Sequence, residues 1–461
     1  MALKARPRAP LRKVILPAVH ILKLPWIIWI TLSIVLTALY IWYGQVTPHF
    51  YSNGQARAGI GIAAGCIGIA MTLRFPKLKG KRAVLVILLV SLAVRLAVFP
   101  ADSSDDVNRY LWEGKLYSQG ISPYLEPAEH SRYTEHRDFY WENMNHKDKI
   151  TAYPPLSLHF FSFINRLSYS PGAYKISFLL ADLILIAVIL SLLHHAKKPL
   201  HWALFYALSP IPILAFVAEG HFDVIMVLFL MLSLLAYSKK CFILCGTAIG
   251  LAVATKIMVV IAAPMILLKT GKKGIISAVV AGSLPFLIHF GDTLQMIHGL
   301  VSFGSTNNFN GSVNQVINNF LGASPQLASH LGLGLFSISW MIGFWLSLKD
   351  QLWLGLAFCL GGLLIFAPVV HFWYFTWLLP FVALRPSPAW LSFSVTAPLY
   401  FLVHSAYLET GLWDLPVWAR WAFWLPFFMI ALIGLPEKIR TISHLLRGTD
   451  PKPPLKNRPM T

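Results

Sequence analysis

Long apolar runs decide what this chain can become. Trp26 to Tyr43, Ala83 to Pro100, Ile176 to Leu193 and Leu352 to Val370 are each long enough, as helices, to cross about 30 Å of hydrocarbon. Of the 461 residues 56% are hydrophobic and only 12% charged, and the mean hydropathy is +0.62. Soluble domains carry about a quarter of charged residues. An ordinary soluble domain is therefore excluded, and an all-α polytopic membrane protein is expected.

The net charge of +19, from 38 lysines and arginines against 19 acids, would in a soluble protein raise the question of nucleic acid. Here it goes first to orientation, because short cytoplasmic loops collect lysine and arginine, and no nucleic-acid partner is expected. Cys66, Cys241, Cys245 and Cys359 lie in apolar runs and show neither a disulfide framework nor metal-type spacing. The first apolar run follows a basic segment, is too long for a signal peptide and lacks a small-residue cleavage site, so it reads as a retained helix.

Placing spans between the cationic clusters gives fourteen apolar segments with both termini cytoplasmic. The order is a basic N-terminus (1–23), a first set of spans (24–99), a long outer loop (100–172), a central set (173–290), an asparagine-rich outer loop (291–330), a C-terminal set (331–436) and a basic tail (437–461). In this arrangement 26 of the 38 cations face the cytoplasm, and ten of the 19 acids lie in one outer loop between Asp102 and Asp148. The expected location is the inner (plasma) membrane.

Segments 241–254 and 256–268 are short for a crossing and meet at Thr255-Lys256, as a re-entrant or thin helical pair would. The 100–172 loop is too long for a connector and too aromatic for disorder. A folded outer subdomain is expected, with short helices around Val107–Gln119 and Leu156–Leu167. The second loop carries Asn307, Asn308, Asn310, Asn314, Asn318 and Asn319. Such amides suit carbohydrate hydroxyls, and Asx turns account for them equally well. Asn310-Gly311-Ser312 also fits an N-glycosylation acceptor.

The chemistry concentrates in Asp105-Asp106-Val107-Asn108-Arg109-Tyr110-Leu111-Trp112-Glu113-Gly114, followed by Gly120-Ile121-Ser122-Pro123-Tyr124 and Tyr153-Pro154-Pro155-Leu156. Two adjacent carboxylates are not both comfortable without a cation or donors nearby. The pair suits a general base or a metal site. It equally suits the N-cap of a helix over Val107–Lys115.

These motifs resemble the first outer loop of integral-membrane glycosyltransferases with the GT-C fold, and most closely the polyprenyl-phosphate-mannose-dependent mannosyltransferases of glycosyltransferase family 87. Gly220-His221-Phe222-Asp223, Gly250 to Lys256, Phe309-Asn310-Gly311-Ser312, His371-Phe372-Trp373-Tyr374 and Trp377-Leu378-Leu379-Pro380 continue the likeness in order. Phe372 departs from it where relatives carry proline, and Asn108 stands where many carry an aromatic residue.

The resemblance implies a GT-C-like bundle of about 12–14 transmembrane helices. It also implies an inverting transfer, on the extracytoplasmic face, of a monosaccharide, expected to be mannose, from a polyprenyl-phosphate donor. The acceptor would be a glycolipid, polysaccharide or protein. Asp106 is the expected general base, with Asp105 the second candidate and His371 assisting. Lys256 and Arg109 are the candidate cations for the leaving phosphate, although Arg109 is also placed to pair with Glu113 four residues on. Tyr110, Trp112, Tyr124, Tyr153, His221, Asp223 and Asn310 are candidates for sugar or acceptor contact. His221 and Asp223 are too few for a metal site, no cofactor is certain, and dependence on a divalent cation stays open. The competing expectation is a secondary transporter or lipid flippase, for which Asp182, in mid-span, would be the working acid.

Overall fold

The computed structural model describes residues 19–287, 290–292, 295–297 and 309–434. The start of the basic N-terminus, the basic tail, Asn307 and Asn308 lie outside the described residues. Three helices, α1 (Val19–Val46), α2 (Gly54–Leu73) and α3 (Gly80–Val98), precede the long loop 100–172. That loop holds α4 (Asp105–Ser118), α5 (Phe139–Asn143) and α6 (Pro155–Leu167), and α7 (Pro171–His195) returns to the bundle. The central set comprises α8 (Leu204–Ala207), α9 (Pro210–Pro212), α10 (Asp223–Ser238), α11 (Phe242–Thr255), α12 (Ala263–Leu267) and α13 (Gly271–Leu287). Pro155 and Pro171 sit in first turns, where the N–H they lack has no partner to lose. No strand occurs among the described residues; two isolated bridges join Phe309 and Asn310 to Val369.

The chain is an all-α polytopic membrane protein. Among the described residues, five helices are long and apolar enough to cross a membrane: Pro25–Val46, Gly54–Leu73, Pro171–His195, Pro325–Leu348 and Pro388–Thr410. Leu200–Ala207 with Pro210–Ala218, bent by 48°, makes a sixth if taken as one span. Pro210 and Pro212 explain the bend in what the sequence reads as one segment, since a proline inside a helix removes a donor and clashes with the preceding turn. Other expected segments form shorter apolar helices, such as Leu352–Phe366 and Val417–Ile433. Ile30 and Ile34 of α1, Ile276, Val279 and Val280 of α13, and Leu333, Ile338 and Met341 of Pro325–Leu348 are exposed. Apolar surface on this scale belongs against lipid.

In the bundle, Arg95 Nε of α3 donates to Asp182 Oδ2 of α7 at 2.6 Å, and Tyr206 Oη donates to Oδ1 at 2.6 Å. Both charged side chains are fully buried. Asp182 is thus part of a helix-to-helix bond.

The 100–172 loop is folded. The expected helices are present as α4 and α6, and Gly114 lets them approach: a Cβ there would stand 2.7 Å from Asn165 Nδ2 and 2.8 Å from Phe161 Cβ. Ser104, rather than Asp105 or Asp106, is the N-cap of α4. Its N–H donates to Glu219 O at 3.0 Å, tying the start of α4 to the loop before α10. Lys175 of α7 donates to Phe99 O and Ala101 O at 2.6 and 2.5 Å and so fixes the end of α3.

Candidate active site

With Ser104 as cap, Asp105 and Asp106 fill the first turn of α4, where the helix dipole favours negative charge. Their side chains diverge. Asp105 Oδ2 accepts from Tyr51 Oη at 2.9 Å. Asp106 Oδ1 accepts from Asn145 Nδ2 at 2.7 Å, and its Oδ2 lies 3.3 Å from His221 Nδ1. His221 reaches α4 because Gly220 takes φ +77°, and a Cβ on Gly220 would come within 2.7 Å of Val107 Cγ2.

These surroundings push the two acids apart. Burial and the Asp106 charge drive Asp105 up to about 7. Burial would also raise Asp106, but the His221 imidazolium and Asn145 outweigh it and hold that carboxyl well below the usual range. Burial by itself would lower His221, yet hydrogen bonding and charge from Asp106 and Glu219 raise it to about 9. One carboxyl is thus held toward its ionised form and its neighbour toward its protonated form.

Near the acids lies the ion pair of Lys256 and Asp223, set among aromatic rings. Lys256 follows the end of α11, at the break that separates α11 from the turn Ile257–Ile261. Its Nζ donates to Asp223 Oδ1 at 2.6 Å, and Trp377 Nε1 donates to the same oxygen at 2.7 Å. The ammonium stands 5.2, 5.3 and 5.1 Å from the ring centres of Phe222, Tyr374 and Trp377, within cation–π range. His371 links the two parts of the site. Its ring stacks on Trp373 at 4.2 Å, Trp373 stacks on His221 at 3.8 Å, and His371 Nδ1 meets Tyr400 Oη at 2.8 Å. Burial drives His371 down to about 3, so the ring is neutral.

The structure thus brings Asp105, Asp106, His221, Asp223, Lys256 and His371 together. The other sequence candidates are engaged elsewhere. Arg109 Nε donates to Glu113 Oε1 at 2.7 Å, and its other nitrogens reach His146 O and Lys149 O at 2.9 and 3.0 Å, so the guanidinium binds the outer loop to α4. Tyr110 stacks on Phe161 at 4.6 Å and meets the edges of Tyr153 and Phe222. Trp112 donates to His136 O and packs on Tyr133, while Tyr124 Oη donates to Tyr153 O. Asn310 is buried, with Nδ2 donating to Val370 O at 3.2 Å, which places the sequon amide inside the protein. Asn314 Nδ2 likewise donates to Phe366 O at 2.6 Å. Both amides shape the backbone that leads into His371.

Tyr51, Arg57, Asn145, Glu219 and Tyr400 are site residues that the sequence did not single out, and Trp373 was read there only as part of a motif. Arg57, a charge within the opening turn of an apolar helix, carried a readable signal, because such charges are costly without a partner. No three His, Cys, Asp or Glu side chains gather as a metal would require among the described residues.

Residues 40–271 match the family described as alpha-(1->6)-mannopyranosyltransferase, N-terminal domain. That stretch carries the acidic pair, His221, Asp223 and Lys256. A search of curated proteins finds no match to the chain. Half of the chain lies within the matched region, and the protein belongs to the alpha-(1->6)-mannopyranosyltransferase family, as a multi-pass membrane glycosyltransferase of the mannosyltransferase type.

Proposed function

We propose that this protein transfers a mannosyl unit from a polyprenyl phosphate to an acceptor hydroxyl on the extracytoplasmic face of the inner membrane, inverting the anomeric carbon. The observation that carries the proposal is the acidic pair in the first turn of α4, held by Tyr51 and Asn145, beside the Lys256–Asp223 ion pair. The acceptor oxygen attacks the anomeric carbon, its proton passes to Asp105, and the bond to the phosphate oxygen breaks with its electron pair leaving on phosphate. Asp105 is favoured over Asp106 as base because a pKa of about 7 matches a proton acceptor working near neutral pH. Asp106, bound to Asn145 and facing His221, is too weak a base and acts through its charge. One displacement yields an α-product only from a β-linked donor, so the linkage in the family name requires a β-mannosyl phosphate.

Lys256 takes the leaving phosphate. An ammonium has three donors, and Asp223 uses one. The residues that follow Lys256 point to a lipid-borne donor. Val260, Ile261 and Pro264 face Phe336, Trp340 and Met341 across an apolar groove of about 270 Å³, suited to the start of a prenyl chain. Asp182, the acid a transport mechanism would need, is bonded to Arg95 and Tyr206.

The test incubates the protein, purified into lipid, with labelled polyprenyl-phosphate mannose and an extract of membrane acceptors, with Asp105→Asn and Asp106→Asn in parallel. Label should move to acceptor in the wild type and not in Asp105→Asn. A folded wild-type protein that transfers nothing from this donor or other polyprenyl-phosphate sugars would overturn the proposal.

A further inference from the structure

Behind Asp106 lies a line of alternating charge that no part of the transfer step uses. Arg57, on α2 and fully buried, directs Nη2 to Glu219 Oε1 at 2.6 Å and Nε to Tyr43 Oη at 2.9 Å. Its guanidinium lies 4.4 Å from the Phe401 ring centre. Glu219, only 1% exposed, has Oε2 3.1 Å from His221 Nε2. His221 Nδ1 then faces Asp106 Oδ2 at 3.3 Å. From the interior outward the charges run guanidinium, carboxylate, imidazole, carboxylate.

Glu219 bonds the ring at Nε2, while at Nδ1, which makes no aligned hydrogen bond, the Asp106 carboxylate stands at ion-pair distance, and the doubly protonated ring is the form that both carboxylates attract. Stacking of the ring on Trp373 fixes its plane, so it cannot turn away from either acid. The groups that face His221 are Asp106 from α4, Glu219 from its own loop, and His371 with Trp373 from the segment after Leu352–Phe366. Nearby Lys256 is balanced by Asp223.

We propose that Glu219, gripped by Arg57, is a positioning residue that keeps His221 doubly protonated against Asp106, and so decides which carboxylate of the pair carries the exchangeable proton. With the imidazolium present, Asp106 stays an anion and Asp105 titrates alone. Without it, the two acids compete for one proton and neither is a defined base. This assignment rests on the proposed transferase only for its kinetic consequence; the charge of His221 is measured independently.

The experiment uses the full chain in lipid nanodiscs with ¹³C-labelled histidine, the His221 ring signal being the one that disappears in His221→Gln. In the wild type the ring should stay protonated until pH approaches 9. In Glu219→Gln it should titrate at least about one unit lower, because one of its two carboxylates is gone. Transfer assays on the same variant should show KM for the donor unchanged and the basic limb of the rate profile moved at least about one unit lower, since His221 then loses its charge at lower pH. Glu219→Gln strands a buried arginine, so Arg57→Met/Glu219→Gln is measured alongside it and should show the same His221 shift in a more stable protein. Identical His221 titration in wild type and both variants, or a wild-type ring already neutral at pH 7, would overturn the assignment. A wild type without transfer activity but with the expected His221 shift would instead overturn the transferase proposal alone.

Discussion

Lys256 and Asp223 form an unequal pair: Nζ and Oδ1 stand 2.6 Å apart, yet the lysine side chain keeps 19% of its surface and the carboxylate 1%. The cation is reachable from outside and the anion is sealed behind it. Loss of the two partners should therefore have different consequences.

Lys256→Met leaves a buried carboxylate with the Trp377 indole as its remaining side-chain donor among the described residues, at a cost of about 3–5 kcal/mol. The double variant Lys256→Met/Asp223→Asn should recover most of that loss without recovering transfer. Thermal denaturation in nanodiscs, paired with the labelled-donor assay, separates the two effects. Equal activity in the double variant and the wild type would remove Lys256 from phosphate binding.

The pH profile of transfer should be bell-shaped. Asp105 must be deprotonated to accept a proton, so the rate rises as pH passes about 7. His221 must stay charged, so the rate falls above about 9. Asp106→Asn removes the charge that raises Asp105 and should move the acidic limb to lower pH while lowering the maximum rate. Asp105→Asn should lose about 10²–10⁴-fold in kcat. If only Asp106→Asn abolishes transfer, the base is Asp106.

Arg109 acts on the architecture of the loop. Arg109→Met should destabilise the protein by about 3–5 kcal/mol through the buried Glu113 it strands. KM for the donor measured on the folded fraction should stay within about twofold of wild type. A selective rise in that KM would return Arg109 to the phosphate site.

Gly220→Ala combines a left-handed backbone with a Cβ placed 2.7 Å from Val107 Cγ2. The expected cost is about 1–3 kcal/mol, and displacement of His221 should lower kcat more than it raises KM. Val107→Ala in the same chain relieves the contact but leaves the backbone strain, so it should restore part of the activity and part of the stability.

The apolar runs made the membrane class legible, because burial in lipid requires long continuous segments, and the length and aromatic content of the 100–172 segment made its folding legible. Arg109 and Glu113 could be paired in advance, since four residues on one helix set their distance. The break at Lys256 was visible as a charge between two short apolar stretches. The Arg57–Glu219 contact was not, as its partners are 162 positions apart and nothing local marks their convergence. Tyr110, Trp112 and Tyr124 show the opposite limit. An aromatic residue in an acidic outer loop reads alike whether it stacks on sugar or on Phe161 and Tyr133, and only the packing tells these apart.

The bond between Arg95 and Asp182 also sets an order of manufacture. Its ends are 87 positions apart, with the whole outer loop between them. At about 5–20 residues per second, a ribosome needs roughly 4–17 s to deliver the aspartate after the arginine. During that interval α3 carries a lone cation that disfavours its residence in lipid by up to about 3 kcal/mol. The N-terminal spans therefore become secure only after the loop bearing the acidic pair has been made, so the segment that carries the chemistry is complete before the scaffold is.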